Sequence, residues 1–194
     1  MKYGVVHQAS YSRGQLLLRT IFGWLYIAIP HGFLLFFVAI WGAVLGFLAF
    51  WAILFTGKYP AAWFDYQVKL QRWAARLNSR LMNLTDAKAA FGLGGTSEAV
   101  TVEAERPERI SRGLTLLRLI LGILYVVIPH GFCLFFRLIA SSVLSFLAWW
   151  AVLFSGHYPE RWHAFNVGTY RWIFRVGLYM SNMTDAYPPF SGKE

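Results

Sequence analysis

Two long apolar runs dominate the chain, each followed by a segment in which apolar and basic positions recur at helical spacing. From Leu16 to Phe55 the only ionisable residues are Arg19, Tyr26 and His31. From Leu114 to Phe154 they are Arg118, Tyr125, His130, Cys133 and Arg137. Runs this long and this apolar read as membrane-spanning sequence. As one straight helix, each run of roughly 40 residues would reach about 60 Å, against about 30 Å of hydrocarbon. Pro30-His31-Gly32 and Pro129-His130-Gly131 interrupt the runs. Proline disfavours helix at the residue before it, and glycine supplies the positive φ of a sharp reversal. The pattern therefore predicts a transmembrane helical hairpin in each half: Gln15–Ile29 with Phe33–Phe55, then Leu114–Ile128 with Phe132–Phe154. That makes an all-α membrane protein with four membrane helices. Arg19 and Arg118 lie a full turn inside the first helix of each pair, so that helix is expected to be shallow or tilted, its arginine snorkelling to the headgroups. A re-entrant hairpin is the alternative.

The two halves are copies of one unit. Arg13-Gly14 matches Arg112-Gly113 at an offset of 99, and Arg19 matches Arg118. "FLAFWAILFTGKYP" from Phe47 matches "FLAWWAVLFSGHYP" from Phe146, and "NLTDA" from Asn83 matches "NMTDA" from Asn182. The organisation expected is a first repeat over 1–90, an exposed glycine- and charge-rich linker over 91–111, and a second repeat over 112–194. "GLGGTS" in the linker lacks the lysine of a phosphate loop.

After each hairpin, Gly57-Lys58-Tyr59-Pro60 and Gly156-His157-Tyr158-Pro159 supply a helix stop, an interfacial tyrosine and a helix start. The next segment is amphipathic. Trp63, Tyr66, Leu70, Trp73, Leu77 and Leu84 recur on one face, and Lys69, Arg72, Arg76 and Arg80 on another. The second copy keeps Trp162, Phe165, Trp172, Val176 and Met183, with a basic stripe reduced to Arg171 and Arg175. Such a helix suits the membrane interface, with Trp63, Trp73, Trp162, Trp172, Tyr59 and Tyr158 as anchors.

Composition sharpens this picture. The 194 residues are 57% hydrophobic, 19% aromatic and only 14% charged. Soluble domains are about 25% charged, so this chain has too little polar surface for a water-soluble globule. No cleavable signal segment is apparent at the start. The lone cysteine, Cys133, excludes an internal disulfide and a cysteine metal site. The net charge of +9 fits anionic membrane lipids rather than nucleic acid. Lysine and arginine flank the runs and avoid the tips, apart from Arg137. Both termini and the linker are therefore expected on the cytoplasmic side of an inner membrane, with the two repeats parallel about a pseudo-two-fold axis along the membrane normal.

Candidate chemistry is sparse. Arginine inside a membrane helix is costly unless paired, so Arg19 and Arg118 lead the search, as contacts for lipid, an anion or a partner, with Arg72, Arg76, Arg171 and Arg175 beside them. His31 and His130 are candidate ligands for a metal or haem, but their expected place at hairpin tips, with no carboxylates nearby, favours an unliganded turn. Asp86 and Asp185 suit capping of a following turn or pairing with an arginine of the basic stripe. No carboxylate pair or nucleophile–base pair has spacing suited to catalysis. Neither an enzyme nor a cofactor is expected.

The motifs "WAILFTGKYP…F…RW…R…TD" and "WAVLFSGHYP…FNVGTYRW…R…TDAYPPFS" resemble the bacterial membrane family known as domain of unknown function 4389, in two tandem copies. The second copy keeps the ending Tyr187-Pro188-Pro189-Phe190, where the first has Lys88-Ala89-Ala90-Phe91. The resemblance implies membrane residence and a bacterial source, with no assigned activity. The expected function is a non-enzymatic accessory or scaffold subunit of a membrane assembly, bound to anionic lipids and to partner subunits or copies of itself. A small anion channel or transporter and a lipid-binding or membrane-shaping protein are the alternatives.

Overall fold

The computed structural model describes residues 2–194. Strand β1 (Lys2–Val5) precedes a 44-residue helix, α1 (Arg13–Thr56), and a 21-residue helix, α2 (Ala61–Leu81). Strand β2 (Val100–Glu103) then leads into α3 (Arg112–Ser155), also of 44 residues, and α4 (Glu160–Met180), of 21. Every helix boundary in the second half lies 99 residues after its counterpart. The fold is mostly helical, with one small two-stranded sheet.

The predicted hairpins are not formed. α1 runs unbroken through Pro30-His31-Gly32, and α3 through Pro129-His130-Gly131. The two long helices replace the four membrane helices of the sequence reading. Each is long and apolar enough to cross a membrane by length and composition. The physical reason is a π-helical turn just ahead of each proline, Trp24–Ala28 in α1 and Ile123–Val127 in α3. A proline inside a helix lacks an N–H and crowds the carbonyl four residues back. For Pro30 and Pro129 those carbonyls belong to Tyr26 and Tyr125, inside the widened turns, which absorb the conflict without breaking the rod.

The π turns also set the helix faces. Arg19 and His31 are 12 residues apart, as are Arg118 and His130. At about 100° per residue an ideal helix would turn the members of each pair about 120° apart. A π turn takes up one extra residue, which brings that angle down to about 20°. All four side chains consequently lie on the inner faces of their helices and are buried.

Both long helices are two-sided along their whole length. In α1, Leu16, Arg19, Ile27, His31, Leu45 and Ile53 are buried, whereas Phe22, Ile29, Phe33, Ile40, Phe47 and Phe55 are exposed. In α3 the exposed stripe includes Ile120, Leu124, Ile128, Phe135, Phe146 and Phe154. The inner stripes pack on the short helices, the sheet and the linker. One core cluster joins Leu16, Ala148 and Val152 to Tyr3, Val5, Val100 and Val102. A second joins Ala49 and Ile53 to Phe64, Val68, Leu178 and Ile110.

The halves interlock through mirrored contacts. The start of α1 lies beside the end of α3, where Arg13 Nη2 donates to the Phe154 carbonyl at 2.8 Å. The start of α3 lies beside the end of α1, where Arg112 Nη2 donates to the Phe55 carbonyl at 2.9 Å. Each guanidinium satisfies a carbonyl at a helix C-terminus, where a cation is favoured. Gly57 and Gly156 close those ends at φ values of 71° and 76°, where a Cβ would be strained. Their carbonyls accept from the Ile110 and Tyr11 amides of the other half at 2.9 and 2.8 Å. Strands β1 and β2 pair antiparallel, with Tyr3 opposite Val102 and Lys2 opposite Glu103. Tyr3 and Val102 are themselves equivalent at the 99-residue offset, so the register maps onto itself and the axis relating the halves passes through that pair.

Candidate functional site

The polar centre of each half forms where the short helix ends. α2 is terminated by Asn83 at φ 57°, and α4 by Asn182 at φ 56°, the left-handed conformation that asparagine tolerates best among non-glycine residues. The turn aims the rest of "NLTDA" and "NMTDA" back at the start of the long helix. Arg19 Nε donates to Asn83 Oδ1 at 2.8 Å, and Arg19 Nη1 to Asp86 Oδ1 at 2.7 Å. The other Asp86 oxygen accepts from the Ser12 amide. Arg118 meets the equivalent residues through its two Nη atoms, Asn182 at 3.0 Å and Asp185 at 2.9 Å, leaving its Nε without a partner among the described residues, and Asp185 accepts from the Ser111 amide. Ser12 and Ser111 are the N-caps of α1 and α3, so each aspartate holds a capped helix start while neutralising a buried guanidinium. The arginines read as intramembrane anomalies are thus compensated within their own halves.

A second polar contact lies farther along each long helix. His31 Nδ1 accepts from Trp73 Nε1 at 2.9 Å, and His130 Nδ1 accepts from Trp172 Nε1 at 2.9 Å. Indole can only donate, so each imidazole is neutral and carries its proton on Nε2. Phe91 stacks on His31 at 3.6 Å between centroids, and Phe190 on His130 at 3.9 Å. The two histidines therefore sit mid-helix in the core rather than at hairpin tips, each engaged by its own tryptophan. Among the described residues no group of three His, Cys, Asp or Glu side chains could hold a metal ion.

The residues expected as interfacial anchors are mostly core. Tyr59, Trp73, Tyr158 and Trp172 are buried, and Trp63 and Trp162 are half-buried. Most arginines of the basic stripes donate to carbonyls of the chain itself, although Lys69 and Arg72 stay exposed. Arg72 donates to the Val102 carbonyl, Arg76 to that of Gly92, Arg171 to those of Tyr3 and Gly192, and Arg175 to that of Lys193. Burial holds the Arg76 and Arg175 guanidinium groups below their ordinary pKa, each helped by the neighbouring arginine. These arginines tie down the linker and the final residues.

The halves differ around the buried arginine. Arg80 in α2 is buried and donates to the Asp86 carbonyl. Burial, and then the charge of Arg19, lowers its pKa. Its counterpart Tyr179 covers Arg118, whose Cζ lies 3.9 Å from the ring centroid. Lys88 is exposed, whereas its counterpart Tyr187 stacks on Tyr125 and donates to the Tyr125 carbonyl at 2.9 Å. The first half consequently has an open cleft of about 250 Å³ lined by Tyr26, Ile27, His31, Arg80, Lys88 and Ala89.

Sequence reasoning singled out the arginines and histidines and gave Asp86 and Asp185 a capping or pairing role, but it did not join these aspartates to Arg19 and Arg118 or the tryptophans to the histidines. A signal was available: arginine and aspartate are 67 residues apart in both copies, and histidine and tryptophan 42. In sequence, Arg80 is only one member of a basic stripe. No match is found among curated proteins or among solved structures. Residues 112–192, the second copy nearly entire, match the model of the family described as Domain of unknown function (DUF4389).

Proposed function

We propose that the chain is a non-enzymatic, membrane-seated scaffold, an accessory subunit that holds a polar layer against a bilayer. The observation that carries this reading is the unbroken exposed stripe of phenylalanine, leucine, isoleucine and tryptophan along both 44-residue helices. Contiguous apolar surface on this scale marks a membrane or an interaction face. Each helix is about 66 Å long, roughly twice the hydrocarbon thickness. One-sided exposure over that length suits helices sunk along the membrane face or crossing it at a shallow angle. Exposed Lys58, Lys69 and Arg72 then belong to the cytoplasmic side, where anionic headgroups attract them. The pairing of Arg19 with Asp86 and of Arg118 with Asp185 favours a structural role for these arginines over an anion path.

The test uses single cysteines in a Cys133→Ser background, Phe36→Cys on the outer stripe and Lys69→Cys on the polar layer, in lipid vesicles. A membrane-impermeant maleimide should label the second and spare the first until detergent is added. Equal labelling of both in vesicles overturns the reading.

A further inference from the structure

Arg80 is a buried guanidinium that has no carboxylate of its own. Asp86, the nearest acid, already binds Arg19 at 2.7 Å, and among the described residues no carboxylate oxygen lies within 4.0 Å of Arg80. Three cations (Arg19, Arg80 and Lys88) therefore share one carboxylate in the first half. In the second half the same positions hold one cation, Arg118, and one carboxylate, Asp185. An uncompensated buried charge is expensive and calls for a counter-ion.

The cleft beside Arg80 has room for one. A water occupies about 30 Å³ of liquid volume, so about 250 Å³ accommodates a phosphate group with some of its hydration. The wall offers the Arg80 guanidinium, the Lys88 ammonium and the Tyr26 hydroxyl. Arginine is suited to bidentate phosphate contact, and lysine to a mobile point charge. The second half supplies the internal control, because Tyr187 and Tyr179 occupy the corresponding space there. The cleft also opens beside the outer stripe: Tyr26 is exposed and belongs to the same stretch of α1 as exposed Phe22, Leu25 and Ile29.

We infer that the first half binds the phosphate of an anionic phospholipid through Arg80, Lys88 and Tyr26, with the acyl chains lying on the outer stripe of α1. The lipid source rests on the membrane seat proposed above; the phosphate chemistry rests on the cleft alone. The intact chain in detergent is titrated with short-chain phosphatidylglycerol and with phosphatidylcholine, and bound lipid is counted by native mass spectrometry. The wild type should prefer phosphatidylglycerol by about ten-fold. The double variant Arg80→Tyr/Lys88→Tyr, which copies the second half, should reduce that preference to within about two-fold while keeping its helical circular dichroism. Should the double variant fail to fold, exposed Lys88→Tyr alone should reduce the preference about three-fold. An undiminished preference in a folded variant overturns the inference. Inorganic phosphate that raises the thermal midpoint of the lipid-free wild type, with no lipid preference, assigns the cleft to a soluble anion and overturns the lipid source. Because these titrations are done in detergent, failure of the vesicle-labelling test would sink the membrane seat and leave the cleft standing.

Discussion

The two halves share a scaffold and differ in what lies under its arginine. Both long helices carry the π turn, the capping serine, the guanidinium held by asparagine and aspartate, and the histidine held by tryptophan. In the first half that guanidinium neighbours a second one beside an open cleft; in the second half it lies under a tyrosine ring and the cleft is filled. The repeated elements are those the helices need in order to pack. Arg80 and Lys88, which diverge to Tyr179 and Tyr187, face the space around residues 26–31 and its counterpart. Duplication therefore separates framework from specialisation within a single chain.

The largest effect should come from the carboxylate. Asp86→Asn leaves two neighbouring guanidinium groups buried without an acid, at a cost of about 3–5 kcal/mol. Asp185→Asn should cost about 2 kcal/mol less, because the Tyr179 ring still faces Arg118. Unfolding in detergent measures both, and equal losses would erase the difference between the halves. Trp73→Phe and Trp172→Phe should each cost about 1–3 kcal/mol by stranding a buried imidazole nitrogen. Here the halves should agree closely; a large gap would mean that their cores are not equivalent.

One pH effect should distinguish the halves. His163 stands where the first half has Phe64 and meets the Leu84 carbonyl at 3.0 Å. Burial, and next the neighbouring His7, lowers its pKa. The unfolded chain therefore takes up a proton that the folded chain resists, and stability falls as the pH drops below about 6.5. His163→Phe should flatten that part of the pH–stability curve, and an unchanged slope would place the acid sensitivity elsewhere. The smallest effect is at the exposed caps: Arg13→Ala and Arg112→Ala should each cost about 0.3–1 kcal/mol, in equal measure.

Much of the frame was legible in sequence. The 99-residue offset, the apolar runs, the terminating Gly57 and Gly156 and the start of each short helix after Pro60 and Pro159 all follow from local chemistry. Continuity through Pro30 and Pro129 does not, because the signal for a reversal is the same proline and glycine that a π turn accommodates upstream. Trp73 and Trp172, expected as interfacial anchors, are buried within the chain, and the sequence hides this for a related reason. An amphipathic pattern marks which face is apolar without saying whether lipid or another helix covers it. Arg80 stayed hidden because its importance is a deficit of carboxylate, visible only once Asp86 is seen bound to Arg19.

The self-mapping register of β1 and β2 has one more consequence. Two separate copies of a single half, joined at such a sheet, would form an isologous dimer whose clefts are identical by symmetry. Any substitution would then change both at once. Joining the halves through one linker fixes the ratio at one to one and lifts that constraint. One cleft can be plugged with tyrosine while its twin keeps arginine and lysine, so a single molecule has a charged side and a sealed side around a common axis.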